Sequence, residues 1–423
     1  MLEFDLCLGL LMIIGYGFKN LNLADVHFAC QCWPLLAVLA YNNFEVALEC
    51  FDILLALITV VVLRSFKSFE SFLLMMMAYI AQAFMLHSCD LVSFYVCLEA
   101  QNFCFLVLFA SLGLQPDKGQ NNGFSVEATL KYLLLSSFSS GVLLFCFASL
   151  YLNTGMTCLF LKTADLSYQL EAFLILLALL FKLGSAPVHL WVVYIYQSIK
   201  RPLLMYISTA PKLALFSFWS SAWQLVWTDY TLSIFIVYTL ILGSLGAYGL
   251  ASQPAVRALL AYSTTSEIGF MLLATETAGF HSLFQHLSIY IITQLLIWNL
   301  SDKRLFSLSA VSLAGIPPLA GFFGKAWIFF HAVNLHMVSL LLIALACSVF
   351  SIVYYVRLLR FFWNYPTGQS LSTFMYQTTG CLAKQIITLA KDYHDRQVGL
   401  TSACFIALVF LPILLVKPYF VPF

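Results

Sequence analysis

Charge is what this 423-residue sequence has least of: 9% of its residues are Asp, Glu, Lys or Arg, against 62% hydrophobic. Ordinary soluble domains carry about 25% charged residues, so a soluble globular fold is excluded and a polytopic membrane protein is expected. The net charge is +1, and no basic stripe or stacking platform is present, which excludes a nucleic-acid partner. There is no Walker A motif, no G-x-G-x-x-G following a strand and no haem or iron–sulfur spacing. No cofactor and no metal is therefore expected in this chain. The 12 cysteines do not alter that, because Cys7, Cys97, Cys104, Cys146, Cys347 and Cys404 sit within apolar runs. Cys30 and Cys32 have no second Cys/His pair at zinc spacing, so the cysteines read as small buried hydrophobes. No targeting leader is expected either: "MLEFDLCLGLLMIIGYGF" has Glu3 and Asp5 where a secretory signal is basic, and reads as a first span.

What the sequence does have is long apolar runs. Their approximate limits are 2–18, 28–42, 46–64, 69–88, 91–113, 127–152, 168–196, 203–226, 231–251, 256–275, 281–300, 304–334, 336–361 and 401–420. The expected fold is an all-α membrane protein of about 14 transmembrane helices. A transmembrane barrel would need alternating segments of about 10 residues, and these runs are continuously apolar. If loops are numbered by the preceding span, fourteen of the 20 basic residues fall in or beside odd loops, Arg64, Lys67, Lys118, Lys200 and Arg201 among them. Only Lys162 and Lys417 fall in even loops or at the ends. By the positive-inside rule the odd loops face the matrix or cytoplasm, and both termini face the opposite side.

The remaining basic residues are lysines inside spans: Lys131, Lys182, Lys212 and Lys325. Glu99 and Glu267 are similarly deep, while the other acids read as loop or helix-end groups. A charge at the bilayer centre costs at least about 2.5–3.5 kcal/mol, so such residues mark ion or proton pathways. Desolvation disfavours an ammonium and a nearby carboxylate favours it, so a buried lysine between the two can load and release a proton. The alternative is that each lysine forms a static ion pair or snorkels to an interface. His189 is a possible relay partner of Lys182 or a hydrogen-bonded structural histidine; His331 lies off the face of Lys325. His87, His281 and His286 read as interfacial.

Two spans are interrupted. The seventh reads "FKLGSAPVHLW" and the twelfth "SLAGIPPLAGFFGKAW", with Pro187, Pro317 and Pro318 as helix breaks. They lie five spans apart, as do Glu99 and Glu267, and an odd offset gives opposite orientations. This pattern points to inverted five-helix repeats, spans 4–8 and 9–13. The expected division is 1–66, an N-terminal three-helix segment; 67–229, the first repeat; 230–362, the second; 363–400, a polar loop; and 401–423, the last span. A short amphipathic helix is expected in the loop near "AKQIITLAKDYHD".

The blocks "DLVSFYVCLEAQNFCFLVL", "EATLKYLLLSSFSSGVLLF", "FKLGSAPVHLWVVYIYQ", "STAPKLALF", "VRALLAYSTTSEIGFMLL", "SLAGIPPLAGFFGKAWIF" and "CSVFSIVYYVRLL" follow one another between about residues 70 and 362. In these the chain resembles the antiporter-like membrane subunits of respiratory complex I, NADH:ubiquinone oxidoreductase. The "KYLLLSSFSSG" block favours the branch called subunit 2, or N in bacteria, over subunits 4 and 5. The resemblance implies a proton-translocating subunit without a cofactor of its own, driven by quinone reduction elsewhere in the complex. It further implies that Glu99 partners Lys182, that Lys131 opens the sixth span, that Lys212 bridges, and that Lys325 connects to the outlet. Implied partners are the membrane subunits of the 4, 4L, 5 and 6 types, accessory subunits and lipids such as cardiolipin, in a hetero-oligomer. The implied place is the mitochondrial inner membrane, with termini on the intermembrane-space side, or else a bacterial plasma membrane. The sequence departs from the family at Glu267, where a histidine is usual, and at Lys200 and Arg201, where the family is usually uncharged. Two other readings stay open: a subunit of a multisubunit cation/proton antiporter or membrane-bound hydrogenase, and a scaffold whose charges only hold helices together.

Overall fold

The computed structural model describes residues 46–63, 69–88, 90–111, 123–155, 157, 169–219, 229–251, 256–277, 279–299 and 303–364. The expected spans at 2–18, 28–42 and 401–420, and the polar stretch from 365 to 400, lie outside the described residues. Within them the chain forms thirteen α-helices. These are α1 (Val46–Leu63), α2 (Phe69–Leu86), α3 (Leu91–Ser111), α4 (Gly123–Thr154), α5 (Gln169–Leu183), α6 (Leu190–Ser198) and α7 (Arg201–Phe218). They continue as α8 (Asp229–Leu250), α9 (Val256–Glu276), α10 (Phe280–Asn299), α11 (Lys303–Ala314), α12 (Ala320–Asn334) and α13 (Val338–Asn364).

Five helices, α2, α3, α4, α8 and α13, are by length and composition apolar enough to cross a membrane. Helix α9 is as long as α3 but carries the run "YSTTSE". Nearly all its side chains are buried, so it needs no apolar outer face. Its composition follows from facing protein on every side, as polar residues in membrane helices do.

The helices sort into two units. Among the described residues, the first holds α1–α5 and α7, and the second holds α6 and α8–α13. In the first unit α2 packs along α3, α3 against α4, α4 against α5, and α1 against both α2 and α7. Phe94 stacks on Phe218 with ring centroids 3.7 Å apart, and Phe105 meets Tyr206 edge-on at 6.0 Å. These contacts tie α3 to α7.

In the second unit α8 runs along α9 at close range because Gly243 and Gly246 face it. A Cβ at Gly243 would lie 2.6 Å from the Ser266 backbone nitrogen, and one at Gly246 would lie 2.4 Å from the Tyr262 ring. Gly243→Ala is therefore expected to destabilise the protein by roughly 1–3 kcal/mol through overpacking. The roughly 1 kcal/mol that alanine gains over glycine in a helix does not offset this, since backbone cannot step aside. A lower thermal midpoint of the detergent-solubilised protein checks it.

Both expected helix breaks are present. Helix α5 ends at Leu183 and α6 begins at Leu190, with Gly184 at φ +77° between them. Helix α11 ends at Ala314 and α12 begins at Ala320, with Gly315 at φ +80°. An L side chain strains at such angles, so glycine is needed at both turns. The prolines that follow supply no N–H to continue the helix ladder. In the second break the orphaned acceptors are reused: Leu313 O takes a hydrogen bond from Lys325 Nζ at 2.9 Å and Ala314 O one from Ser351 Oγ at 3.4 Å.

Candidate functional site

In the first unit, Glu99 sits mid-way along α3 with Asn102 one turn on. The Asn102 amide donates to Glu99 Oε1 at 3.0 Å, and its carbonyl oxygen accepts from the Tyr132 hydroxyl of α4 at 3.1 Å. Lys182, near the end of α5, brings Nζ to 3.5 Å from Glu99 Oε1 and donates to the Ser136 carbonyl at 3.4 Å. The lysine side chain is 5% exposed and the glutamate 21%. A tight charge-assisted hydrogen bond is about 2.7–2.9 Å, so this pair is in Coulombic reach without being locked together.

Lys131 is placed differently. It pairs with Glu127 one turn earlier on α4 at 2.6 Å, and the two side chains are 39% and 57% exposed. The neighbouring Tyr132, rather than Lys131, reaches toward Glu99 through Asn102. Lys212 is buried inside α7, directly after Pro211.

In the second unit Glu267 is the centre. It is 1% exposed, on α9, and its two oxygens have different partners. Oε1 accepts from Lys325 Nζ of α12 at 2.9 Å, while Oε2 lies 3.1 Å from His286 Nε2 of α10. Lys325 Nζ also donates to the freed Leu313 carbonyl and stands 4.7 Å above the Phe270 ring. The ammonium is thus compensated by a carboxylate, a carbonyl and a ring face, the conditions under which a charge can stay buried. Ser266 Oγ is 3.4 Å from the Tyr354 hydroxyl, which adds a polar contact from α13 beside the glutamate.

His286 corrects the interfacial reading of the sequence: it is buried, nearly two turns into α10. Its Nδ1 has no hydrogen-bond partner among the described residues and faces Gly324, where a Cβ would approach it to 2.9 Å. The available signal was periodicity, because Ser282, His286, Ile289 and Thr293 form one buried helical stripe. Asp52 and His87 are a second correction. They are not helix-margin groups at an interface but mostly buried, with His87 Nε2 2.9 Å from Asp52 Oδ2. Asp52 shares its stripe with Ala56, Thr59 and Leu63, all buried.

His189 lies just before α6 in the second unit, with its ring 5.4 Å from the Tyr262 ring in an edge-on contact. Pro187 stands in the same break, and Pro317 and Pro318 in the second. His331, in the last turn of α12, stacks edge-on with Phe330 and is not brought to Lys325 by any contact described above. Among the described residues no group of three or more His, Cys, Asp or Glu side chains is arranged to hold a metal ion.

Comparison with known proteins gives this arrangement a family. Residues 88–304 match the family described as NADH:quinone oxidoreductase/Mrp antiporter, transmembrane. The chain is 50% identical to the NADH-ubiquinone oxidoreductase chain 2 of Chlamydomonas reinhardtii, over 99% of its own length and 100% of the relative's. It is 30% identical to the NADH-quinone oxidoreductase subunit N of Hirschia baltica, covering 71% of this chain and 69% of that one. Among solved structures it is similar in fold to a chain of respiratory complex I from Thermus thermophilus. The TM-score is 0.81 with 22% identity, over 98% of both chains. With the membrane segment matched and a relative half identical along its whole length, this chain belongs to the family of NADH-ubiquinone oxidoreductase chain 2 and bacterial subunit N.

Proposed function

We propose that the chain is a proton-conducting membrane-arm subunit of an NADH:ubiquinone oxidoreductase, carrying protons on buried lysines while quinone is reduced elsewhere in the complex. The observation that carries this reading is the presence of one buried lysine–glutamate pair in each unit: Lys182 with Glu99, and Lys325 with Glu267. Burial makes each ammonium costly and the carboxylate beside it makes it cheaper. A small change in the separation of the pair therefore decides whether the lysine holds its proton. The 3.5 Å pair has room for such a change, and the 2.9 Å pair is closed. His286, on the other oxygen of Glu267, is a second base that the same carboxylate can serve.

The stretches 67–229 and 230–362 are read as inverted repeats, α2–α7 and α8–α13. Supporting this, the second helix of each holds the glutamate, and the fourth span of each is broken at a glycine with positive φ. In this scheme Lys212 is the bridging lysine, Lys131 and Glu127 stand at the start of α4, and His189 is a further relay group. The basic-residue asymmetry puts the termini on the intermembrane-space side of a mitochondrial inner membrane. Partners are the membrane subunits of the 4, 4L, 5 and 6 types with accessory subunits, and cardiolipin at the lipid face.

Mild detergent extraction tests the assignment. The chain is expected to co-purify with flavin and iron–sulfur subunits in one large assembly. Recovery in a cation/proton antiporter complex without redox subunits would overturn it.

A further inference from the structure

One titratable pair has no place in that scheme. Asp52 of α1 and His87, just past α2, lie 2.9 Å apart with side chains 6% and 13% exposed. The helices around them are apolar enough to pack without it: Leu55, Ala56, Met85 and Leu86 are all buried. Replacing a buried ion pair by apolar residues of similar volume is often neutral or stabilising. Packing alone therefore gives no reason for a carboxylate and an imidazole in these membrane helices.

Further along α2, on the side that packs against α7, the buried groups are also polar. Tyr79 is 1% exposed and close enough to feel the charge of Asp52. Gln82 is fully buried, and its oxygen accepts from the Tyr206 hydroxyl of α7 at 2.6 Å. The Gln82 amide nitrogen has no hydrogen-bond partner among the described residues. A buried donor left in this way is where an ordered water binds. The titratable groups carried by these three helices are Glu49, Cys50 and Asp52, then Glu70 and Tyr79 with His87 just beyond, then Arg201, Tyr206 and Lys212.

We propose that Asp52 and His87 form a second proton-binding site in the first unit, separate from Glu99–Lys182. It would exchange protons with the aqueous phase at the end of α2 that carries His87. The connection at the other end of α2 holds Arg64 and Lys67, so by the positive-inside rule this end faces the outer side. A proton arriving at His87 Nδ1 makes the imidazolium. The Nε2 proton then passes to Asp52 Oδ2, leaving a neutral imidazole and a neutral carboxylic acid. Each transfer moves one proton and no electrons. The buried Gln82–Tyr206 pair lies next along α2 from this site.

This proposal rests on the proton-conducting reading, and its test separates the two. The intact complex is purified with His87→Gln, with the double change Asp52→Asn/His87→Gln, and with Lys182→Ala as control. Each is reconstituted in sealed vesicles and assayed for NADH oxidation and acidification. Asn and Gln keep a hydrogen bond between the two positions but cannot exchange protons, so a purely structural tether survives in the double variant. The expected result is an assembled complex in which both His87 variants lose proton pumping as Lys182→Ala does. Wild-type pumping in the double variant alongside loss in Lys182→Ala overturns the Asp52–His87 site and leaves the general reading standing. Wild-type pumping in Lys182→Ala itself overturns that reading and this proposal with it. Failure of both amide variants to assemble makes the pair a structural ion pair and also overturns the proposal.

Discussion

Lys182→Ala is expected to depress proton pumping coupled to NADH oxidation while leaving the complex assembled. Both halves follow from the geometry. Among the described residues the ammonium is the only basic group within ion-pair distance of Glu99, and its loss is expected to open a gap in the proposed path through the first unit. A gap that raises the limiting barrier by about 1.4 kcal/mol slows transfer roughly tenfold. The structural cost is small because Glu99 is not stranded. It is 21% exposed and keeps the hydrogen bond from Asn102, itself held by Tyr132. The change is measured as acidification of vesicles holding the purified complex, against subunit content on native gels. Normal pumping in an assembled complex would remove Lys182 from the path.

Glu267→Leu is expected to do the opposite damage: the complex fails to assemble. The carboxylate is 1% exposed and is the sole counter-charge described for Lys325, also buried. Breaking a buried pair by removing one partner costs roughly 3–5 kcal/mol, comparable to the whole stability of many domains. The cost comes from the ammonium left behind, so removing that as well should restore folding. The double variant Glu267→Leu/Lys325→Met is expected to assemble again, with apolar groups filling a pocket already lined by Phe270. It is expected to pump poorly. Immunodetection of the assembled complex separates the single from the double variant. Equal assembly of the two would show that Lys325 does not depend on Glu267 for its charge.

The two sites were legible in the sequence to different degrees. Glycine, proline and lysine inside apolar runs mark both helix breaks directly, because each residue type has a backbone consequence that needs no tertiary information. Partnership is another matter. A buried lysine in a sequence demands a counter-charge but does not name it. Glu99 was assigned to Lys182 through family resemblance, and the direct contact of Glu267 with Lys325 was not foreseen. Glu267 and Lys325 lie 58 residues apart and meet only because α9 packs against α12. His286 and Asp52 escaped for a similar reason. Both lie close enough to a helix end to pass for interfacial groups, and only the buried stripe each belongs to shows that it faces inward. The position where the resemblance leads one to expect a histidine holds Glu267 on α9, and a histidine of α10, His286, lies 3.1 Å from its carboxylate.

The shared logic of the sites explains why this chain retains charges that membrane insertion penalises. Each lysine sits where a broken or polar helix offers a carbonyl as well as a carboxylate: Ser136 O for Lys182 and Leu313 O for Lys325. These neutral acceptors each take one hydrogen bond from the ammonium. In the proposed scheme the glutamate sets the protonation balance of the lysine, with Asn102 beside it in one unit and His286 in the other.

Proton release on the outer side per NADH oxidised, in sealed vesicles holding the assembled complex, tests the central claim most directly. The comparison is between the wild type and a variant with both sites emptied of charge, Glu99→Gln/Lys182→Met/Glu267→Leu/Lys325→Met. The variant complex is expected to assemble with a proton yield below the wild type's. A yield equal to the wild type's would show that these lysines hold helices together and carry no protons.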